Sequence, residues 1–402
     1  MAASTTSALD TFDAVVVGGG PAGATVATDL AQRGRRVLLL DRAGRIKPCG
    51  GAIPPALIRE FEIPDELLVA RIVSACMVSP SDRRVHMPID AGGFVGMVDR
   101  ETFDEWLRAR AASAGAERRA ATFERLSHDV SGTAVVHFHT RDGAEGCVRA
   151  RTVIGADGAN SAVARACIAG AEATPYVFAY HEIVRSPQDA DSKAFDGRRC
   201  DVYYRGAISP DFYGWVFPHG ATTSVGAGTA RKGFSVRRAV DDLRAVAGLD
   251  AADTIRREGA PIPLKPLRRW DNGRDVVLAG DAAGIVAPAS GEGIYYAMCG
   301  GRLAAAAVEV FLTTGDARAL REARQQFMRA HGRVFWVLGV MQRFWYASDR
   351  RRERFVSICH DRDVQKLTWE AYMNKRLVRA RPFTHLRIFC KDMAHLLGLV
   401  RV

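Results

Sequence analysis

The sequence lacks the cysteine patterns that hold metals or cross-link small domains. It contains eight cysteines, but no Cys-x-x-Cys pair and no cysteines and histidines at metal-ligand spacing. We therefore predict no metal site. A chain of 402 residues does not depend on a disulfide scaffold, so free thiols in a reducing compartment are expected.

Long apolar runs and a targeting segment are also missing. No window reaches 18 uninterrupted apolar residues, so we expect no transmembrane helix. The opening MAASTTSALD lacks the charged start and apolar centre of a signal peptide, and residues 1–10 are predicted to form a disordered tail. No internal repeat is visible, and no nucleic-acid partner is predicted.

Positive charge is in excess, and much of it lies toward the C-terminus. The net charge is +11, and residues 331–402 hold 15 lysines and arginines against 6 aspartates and glutamates. Such a segment favours an acidic protein partner or an anionic membrane surface. A solvated arginine-rich helical face explains the same charge without a partner, and both interpretations stay open.

The chain opens with the pattern of a dinucleotide-binding unit. An apolar run leads into Gly18-x-Gly20-x-x-Gly23, a helical segment follows, and a second apolar strand ends at Asp41. The first glycine permits the tight turn, the second lets backbone approach a pyrophosphate, and the third lets helix pack on strand. Asp41 lies 18 residues after Gly23, where it can bind a ribose hydroxyl. The combination predicts a dinucleotide site at the helix N-terminus.

Two further segments complete a resemblance to a known flavoprotein family. GADGANSAVAR (155–165) and DVVLAGDAAG (275–284) each place an aspartate where a strand meets a glycine. With the first motif they resemble the FAD-dependent flavoproteins of the aromatic-hydroxylase type, over roughly residues 12–310. The resemblance implies bound FAD, with Asp157 in a motif that serves FAD and NAD(P)H, and Asp281 on the ribityl chain. It also implies that Arg100 contacts the cofactor and that PASGEGI (288–294) lies beside the isoalloxazine ring.

Other segments narrow the resemblance to one branch of these flavoproteins. They are KPCGGAIP (47–54), AISPDFYGWVFPHG (207–220), REGAPIPLKPL (257–267) and SGEGIYYAM (290–298). These are similar to signatures of the geranylgeranyl reductases, most closely those of chlorophyll and bacteriochlorophyll synthesis. The resemblance implies that three isolated double bonds of a geranylgeranyl chain, on a pigment or as the diphosphate, are saturated to the phytyl chain. Hydride would come from reduced flavin N5, with NADPH or reduced ferredoxin as electron donor.

With this resemblance the predicted fold class is α/β, in three parts. The Rossmann-type FAD-binding domain is discontinuous, over residues 11–78, 98–174 and 264–315. An antiparallel-sheet substrate domain is inserted at residues 79–97 and 175–263, where β-branched and aromatic residues alternate. A C-terminal helical region spans residues 316–402.

The resemblance also selects the candidate site residues. The cofactor-binding candidates are Gly18, Gly20, Pro21, Ala22, Gly23, Asp41, Arg42, Cys49, Gly50, Arg100, Asp157, Gly280, Asp281, Pro288, Gly291, Gly293 and Ile294. The catalytic candidates are Cys49, Gly50, Tyr213 and Glu292. The substrate candidates are Gly51, Tyr213, Trp215, Phe217 and Tyr295.

Residue chemistry leaves several of these roles open. Tyr213, Trp215 and Phe217 alternate at period two, so they share one sheet face, either ordinary core or the wall of an apolar tunnel. Cys49 either acts on the flavin or the substrate, or packs as a small apolar residue. An isolated alkene needs a proton as well as a hydride. The candidate donors are Cys49, Tyr213, Glu292, Tyr295 and an ordered water.

The basic C-terminal segment has two interpretations. RVFWVLGVMQRFWY (333–346) is apolar nearly all round, and two groups of four arginines lie after it. They are Arg350, Arg351, Arg352, Arg354, Arg376, Arg379, Arg381 and Arg387. Such a segment can lie at a membrane interface or close the substrate tunnel as a buried helix, and the two are compatible. The resemblance implies peripheral association with the cytoplasmic side of a photosynthetic membrane, near pigment-synthesis enzymes.

Two other functions stay open at this point. The same fold serves flavin monooxygenases and halogenases, and GWVFP is loosely similar to the halogenase Trp-x-Trp-x-Ile motif without its first tryptophan. A flavin-binding carrier of prenylated pigment would need no catalysis. Oxygen-coupled turnover, a halide requirement, or flavin that no donor reduces would favour these alternatives.

Overall fold

The computed structural model describes residues 9–42, 44, 46–187 and 195–375. Residues 1–8 of the predicted tail, and Arg376, Arg379, Arg381 and Arg387, lie outside these ranges.

The strands are β1 (Thr11–Val17), β2 (Val37–Asp41), β3 (Ala52–Ile53), β4 (Leu68–Ile72), β5 (Ser74–Val78), β6 (Arg84–Pro88), β7 (Val95–Val98), β8 (Glu117–His128), β9 (Ala134–Thr140), β10 (Glu145–Gly155), β11 (Tyr176–Arg185), β12 (Arg199–Tyr203), β13 (Gly214–His219), β14 (Thr222–Thr229), β15 (Thr254–Pro263) and β16 (Val276–Leu278). The helices are α1 (Pro21–Gln32), α2 (Pro55–Glu60), α3 (Arg100–Ser113), α4 (Ala162–Cys167), α5 (Val236–Val246), α6 (Ile294–Thr314), α7 (Glu322–Trp345), α8 (Asp349–Ile358) and α9 (Arg362–Asn374).

The first sheet carries the dinucleotide-binding half of the molecule. β8, β2, β1, β10 and β16 lie side by side and parallel, and β9 pairs antiparallel with β8 and β10. Residues 14–17 of β1 and 37–40 of β2 are continuous apolar runs and fully buried, as parallel strands of an α/β layer are. The strands come from separate stretches of chain, so the α/β class and the discontinuous Rossmann-type domain are confirmed.

The second sheet has seven strands in the order β15-β11-β14-β13-β12-β5-β6. Neighbouring strands are antiparallel except β12 and β5. The predicted boundaries assign residues 74–78 to the FAD-binding domain, but as β5 they pair with β12 in this second sheet. The reason is that β5 and β6 form a hairpin that extends the edge beside β12. β7 joins β3 and β4 in a separate three-stranded sheet.

The two faces of the second sheet pack against different partners. Val216 and Val225 contribute to a core with α5 on one face. Tyr213 and Trp215 contribute to a core on the other face, together with Trp345 and Val356 of the C-terminal helices. The aromatic face thus lies under α7 and α8.

Helix α6 has 21 residues and packs beside the first sheet. Among the described helices it is the one long and apolar enough to cross a membrane by length and composition, with a mean hydropathy of 1.2. Half of its most apolar 18-residue stretch is buried inside the protein, and α1 and α7 pack against the helix. This is the environment of a core helix, and its length is weak evidence for a membrane span.

Candidate functional site

The turn between β1 and α1 accepts only glycine at two of its three motif positions. Gly18 has a φ of +104°, and a Cβ there would collide with the carbonyl group of Ala156. A Cβ on Gly23 would collide with the carbonyl oxygen of Gly18. Both glycines are therefore required by the backbone contacts of the fold itself.

Gly20 differs because a Cβ there would meet no protein atom within 4 Å. It is the N-cap of α1, Pro21 is the first helical residue, and no side chain caps the helix. Open space beside an uncapped helix N-terminus is what a pyrophosphate requires. Ala22 packs closely on Gly280, where a Cβ would lie 2.7 Å from the Ala22 Cβ. The residues present therefore fit the diphosphate of FAD.

Asp41 lies beside the same turn. Its Oδ1 accepts a hydrogen bond from the backbone N–H of Gly19 at 3.1 Å, and its Oδ2 lies 3.1 Å from Arg108 Nη1. The carboxylate is held at the edge of the turn and is partly exposed, and Arg42 after it is exposed. A contact between Asp41 and the ribose stays a prediction, and the position of the carboxylate suits it.

Asp157 makes contacts that serve the fold. Its carboxylate accepts hydrogen bonds from the Ser161 hydroxyl at 2.5 Å and from the Ala162 N–H at 2.6 Å, at the start of α4. Burial raises the pKa of Asp157, and these hydrogen bonds oppose that shift. A direct contact of Asp157 with the cofactor remains a prediction.

Asp281 brings the third motif to the start of α6. It lies in the short turn Gly280–Ala283 after β16, and its Oδ1 is 3.7 Å from the position of a Cβ on Gly293. Its carboxylate forms a close ion pair with Lys47. Lys47 is not among the predicted site residues, although it opens the KPCGG segment two residues before Cys49.

The loop of residues 287–293 leads into α6 and is held from two directions. The Tyr213 hydroxyl donates to the Ser290 carbonyl at 2.5 Å, and the Tyr346 hydroxyl donates to the Ala289 carbonyl at 3.0 Å. Pro288 is buried, and Gly291 has a φ of +64°. No side chain caps the N-terminus of α6, which begins at Ile294. Such a helix end would stabilise an anionic reduced flavin.

The two glycines after Cys49 pack directly against β13. A Cβ on Gly50 would lie 3.0 Å from the Phe217 ring. Gly51 has a φ of +68°, and a Cβ there would lie 2.5 Å from both His219 Nε2 and the Val98 carbonyl oxygen. The Cys49 sulfur is half-buried and accepts a hydrogen bond from the Gly51 N–H at 3.4 Å. The glycines therefore let this loop lie flat on the second sheet, with the thiol at the junction of the two halves.

Arg100 places a buried positive charge next to that thiol. Its Nε and Nη2 lie 2.9 and 2.7 Å from the Asp104 carboxylate oxygens. Burial tends to lower the pKa of Arg100, but the Asp104 carboxylate and the Cys49 sulfur raise it more, so the net shift is upward. Asp104 was missed as a site residue, although it lies one helical turn after Arg100.

The predicted aromatic face is present. The ring centroids of Tyr213 and Trp215 are 6.0 Å apart, and those of Trp215 and Phe217 are 6.3 Å apart. Tyr213 and Trp215 are buried, while Phe217 is half-buried against Gly50. Trp215 and Phe217 therefore share one face of β13, and Tyr213, which directly precedes the strand, packs on the same side, as their period of two predicts.

The remaining proton-donor candidates are bound to partners. The Tyr295 hydroxyl donates to Glu60 Oε2 at 3.2 Å. Glu292 forms a close, buried ion pair with Lys375, which sequence reasoning missed. Burial raises the pKa of Glu292 and lowers that of Lys375, and the attraction between the two opposes both shifts.

A polar cleft borders Cys49 on the sheet side. His181 Nε2 lies 3.0 Å from Glu258 Oε2, and its Nδ1 lies 2.9 Å from the Ser224 hydroxyl. Burial lowers the pKa of His219, which favours the neutral ring. Both histidines are thus fixed by the sheet and its hydrogen bonds.

Comparison with known families defines the class of protein. A family model described as FAD binding domain matches residues 73–326, more than half of the chain. A second, described as NAD(P)-binding Rossmann-like domain, matches residues 16–55, which run from the end of β1 through α1 and β2. The fold, the glycine-rich turn and these matches place the chain among the FAD-binding flavoproteins.

Relatives narrow this class to one family. A geranylgeranyl diphosphate reductase of Rhodobacter capsulatus is 58% identical over 97% of this chain and 98% of its own length. A geranylgeranyl diphosphate reductase of Synechocystis is 37% identical over 95% of this chain and 97% of its own. The chain belongs to the geranylgeranyl diphosphate reductase family, whose members are FAD-dependent oxidoreductases.

A solved structure supports the fold over the whole length. It is a geranylgeranyl bacteriochlorophyll reductase-like protein from Thermoplasma acidophilum, with a TM-score of 0.82 and 21% identity. The match covers 96% of this chain and all of the other. At this identity the likeness shows the fold alone.

Proposed function

We propose that this protein saturates the three isolated double bonds of a geranylgeranyl chain to give a phytyl chain. The observation that carries the proposal is the junction at Cys49. There the aromatic face of β13 meets Gly50, beside Arg100 and within the FAD-binding fold. An apolar wall next to a thiol and a flavin site suits a hydrocarbon substrate.

Substrate affinity is expected to come mainly from the chain itself. About twenty carbons at ~0.8 kcal/mol per buried CH₂ offer roughly 15 kcal/mol of gross transfer free energy. Ordering the chain and losing its translational freedom take back much of this. The same site therefore suits geranylgeranylated bacteriochlorophyll or geranylgeranyl diphosphate.

Reduced flavin, when bound, supplies the hydride, and the chain must supply the proton. Tyr213, Tyr295 and Glu292 are each engaged with another group, whereas the Cys49 sulfur only accepts a hydrogen bond. We assign the proton to Cys49 for this reason. The Arg100 guanidinium would stabilise the thiolate that remains after transfer.

NADPH is the proposed electron donor, with reduced ferredoxin as the alternative. The NAD(P)-binding match covers residues 16–55, which run from the end of β1 through α1 and β2 and lie in the same unit that FAD requires. It therefore does not indicate a second nucleotide site. The basic C-terminal segment would suit an acidic ferredoxin.

Peripheral binding to a photosynthetic membrane is proposed from the surface of α7. Trp336 is 71% exposed and Val340 is 49% exposed, one helical turn apart, and Arg333 and Arg343 beside them are exposed. An apolar patch flanked by cations suits an anionic lipid surface. The cytoplasmic side, close to other pigment-synthesis enzymes, is part of the same proposal.

The function is tested by anaerobic incubation of FAD-loaded protein with a reductant. Geranylgeranyl diphosphate and geranylgeranylated bacteriochlorophyll are supplied separately, and products are read by mass spectrometry. Stepwise gains of two hydrogens in either substrate are expected. Turnover that appears only with oxygen or halide, with no hydrogen gain, would refute the proposal.

A further inference from the structure

Lys375 reaches the 287–293 loop from the far end of the described chain. Its Nζ forms a close ion pair with Glu292 Oε2, and the two side chains are only 2% and 8% exposed. Lys375 directly follows α9, and Glu292 directly precedes the N-cap of α6. The pair therefore joins the C-terminal helices to the loop at the flavin site.

The pair lies in a buried, aromatic environment. Lys375 Nζ is 3.7 Å from the ring centroid of Tyr372, and 5.8 and 6.0 Å from those of Tyr295 and Tyr296. Ring faces stabilise a cation but offer nothing to a carboxylate. Within the described part of the chain, Lys375 is the group that bonds the Glu292 carboxylate, whose Oε1 is buried without a hydrogen-bond partner.

Stability alone does not account for this arrangement. A buried ion pair is often no more stabilising than apolar residues of the same shape, whereas removing one partner is costly. What the pair adds is a fixed position for Glu292. The backbone of Glu292 is fixed too, because its carbonyl accepts a hydrogen bond from the Ala287 N–H at 2.9 Å.

Lys375 is the third anchor of the loop. Tyr213 holds Ser290 from the second sheet, and Tyr346 holds Ala289 from the end of α7. The ion pair adds a contact from the end of α9, next to the open N-terminus of α6. Two of the three anchors therefore come from the C-terminal helical region.

We propose that Lys375 is a positioning residue, which acts through Glu292 to hold the 287–293 loop in the geometry that flavin and prenyl chain require. The role in turnover rests on the proposed function, whereas the role in holding the flavin site does not. The proposal extends the reaction machinery to α9, beyond the residues that contact the site.

The variants are chosen to separate position from stability. Lys375→Met leaves a buried carboxylate unpaired, and Glu292→Gln leaves a buried ammonium unpaired, so each single variant is expected to lose stability. The double variant holds no buried charge and should regain stability, but its link to α9 stays cut. Lys375→Arg keeps the cation, and Lys366→Met, an exposed lysine on α9, is the matched control.

Flavin affinity, thermal unfolding and the rate of each saturation step are measured for all variants. We expect the double variant to unfold near the wild-type temperature, yet to bind FAD at least ~10-fold more weakly and to saturate the chain more slowly. Lys375→Arg should recover affinity and rate, and Lys366→Met should match the wild type.

A stable double variant with wild-type flavin affinity and step rates would overturn the proposal and leave the pair a purely structural contact. If the wild type binds FAD but saturates no prenyl chain, the proposed function fails instead. Flavin affinity would in that case still decide the role of Lys375.

Discussion

At the residue scale, the three glycines of the first motif fall into two kinds. Gly18 and Gly23 are demanded by backbone contacts, whereas an added Cβ on Gly20 meets no protein atom within 4 Å. We therefore expect Gly20→Val to fold normally but to purify without flavin, because its side chain fills the space of the pyrophosphate. Flavin absorbance measures the loss of FAD, and circular dichroism measures whether the variant folds.

The matched control for this prediction is Gly197→Ala, where a Cβ would lie 3.9 Å from its nearest neighbour, Phe195, in ordinary contact. That variant should fold and bind flavin. Gly18→Val should fail to fold, since its clash is internal. A Gly20→Val protein that purifies yellow at full occupancy would contradict the assignment of the diphosphate site.

Cys49 carries the second residue-scale prediction. Cys49→Ser is nearly isosteric and should keep FAD and the fold, while all three saturations slow by at least ~10-fold, about 1.4 kcal/mol at the barrier. Cys49→Ala should be as slow or slower, because it offers no proton. The measurement is the ratio of dihydro, tetrahydro and fully reduced products over time.

The product pattern separates a chemical role of Cys49 from a shaping role. Equal slowing of all three steps supports proton transfer. A stall at one intermediate, with the other steps at the wild-type rate, would show that the thiol only shapes the path of the chain. Wild-type kinetics in both variants would remove Cys49 from the reaction and leave Gly50 and Gly51 as the purpose of the motif.

At the element scale, α7 presents a face that can be changed without touching the core. Trp336→Ser with Val340→Ser should weaken binding to vesicles of anionic lipid, because two exposed apolar side chains are lost. The unfolding temperature should stay near that of the wild type. Co-sedimentation with vesicles is the measurement, and Val130→Ser, at a fully exposed valine outside α7, is the control. Unchanged sedimentation would contradict membrane binding through this face.

At the scale of the whole molecule, His331 makes stability depend on pH. Its ring packs against Tyr295, Tyr296 and Phe327, and burial lowers its pKa from 6.5 to about 4. Between these values the unfolded chain takes up a proton that the folded chain does not, so stability falls as pH falls. His331→Phe should remove the part of this loss of stability at low pH that comes from His331.

Thermal unfolding at about pH 7 and about pH 5 checks this prediction. The drop in unfolding temperature should be smaller for His331→Phe than for the wild type, because all other titrating groups are shared. An equal drop in the two proteins would show that His331 does not titrate as its burial implies.

The features that the sequence predicts best are those that depend on residues close together in the chain. The β1–α1–β2 unit and the shared face of Tyr213, Trp215 and Phe217 follow from local periodicity, and the structure contains them. The partner of Lys47 is 234 residues away and that of Lys375 is 83 residues away. No local pattern encodes such pairs, since they depend on how finished elements pack. The sheet membership of β5 is non-local for the same reason.

The central claim is that the prenyl chain itself, and not oxygen, takes the hydride. The most direct measurement reduces the bound FAD chemically without oxygen, adds a geranylgeranyl substrate, and follows the return of the oxidised-flavin absorbance in a single turnover. We predict that the absorbance returns with the geranylgeranyl substrate and not with the fully saturated phytyl analogue. Reduced flavin that persists with both substrates and reoxidises only when oxygen is admitted would contradict the account.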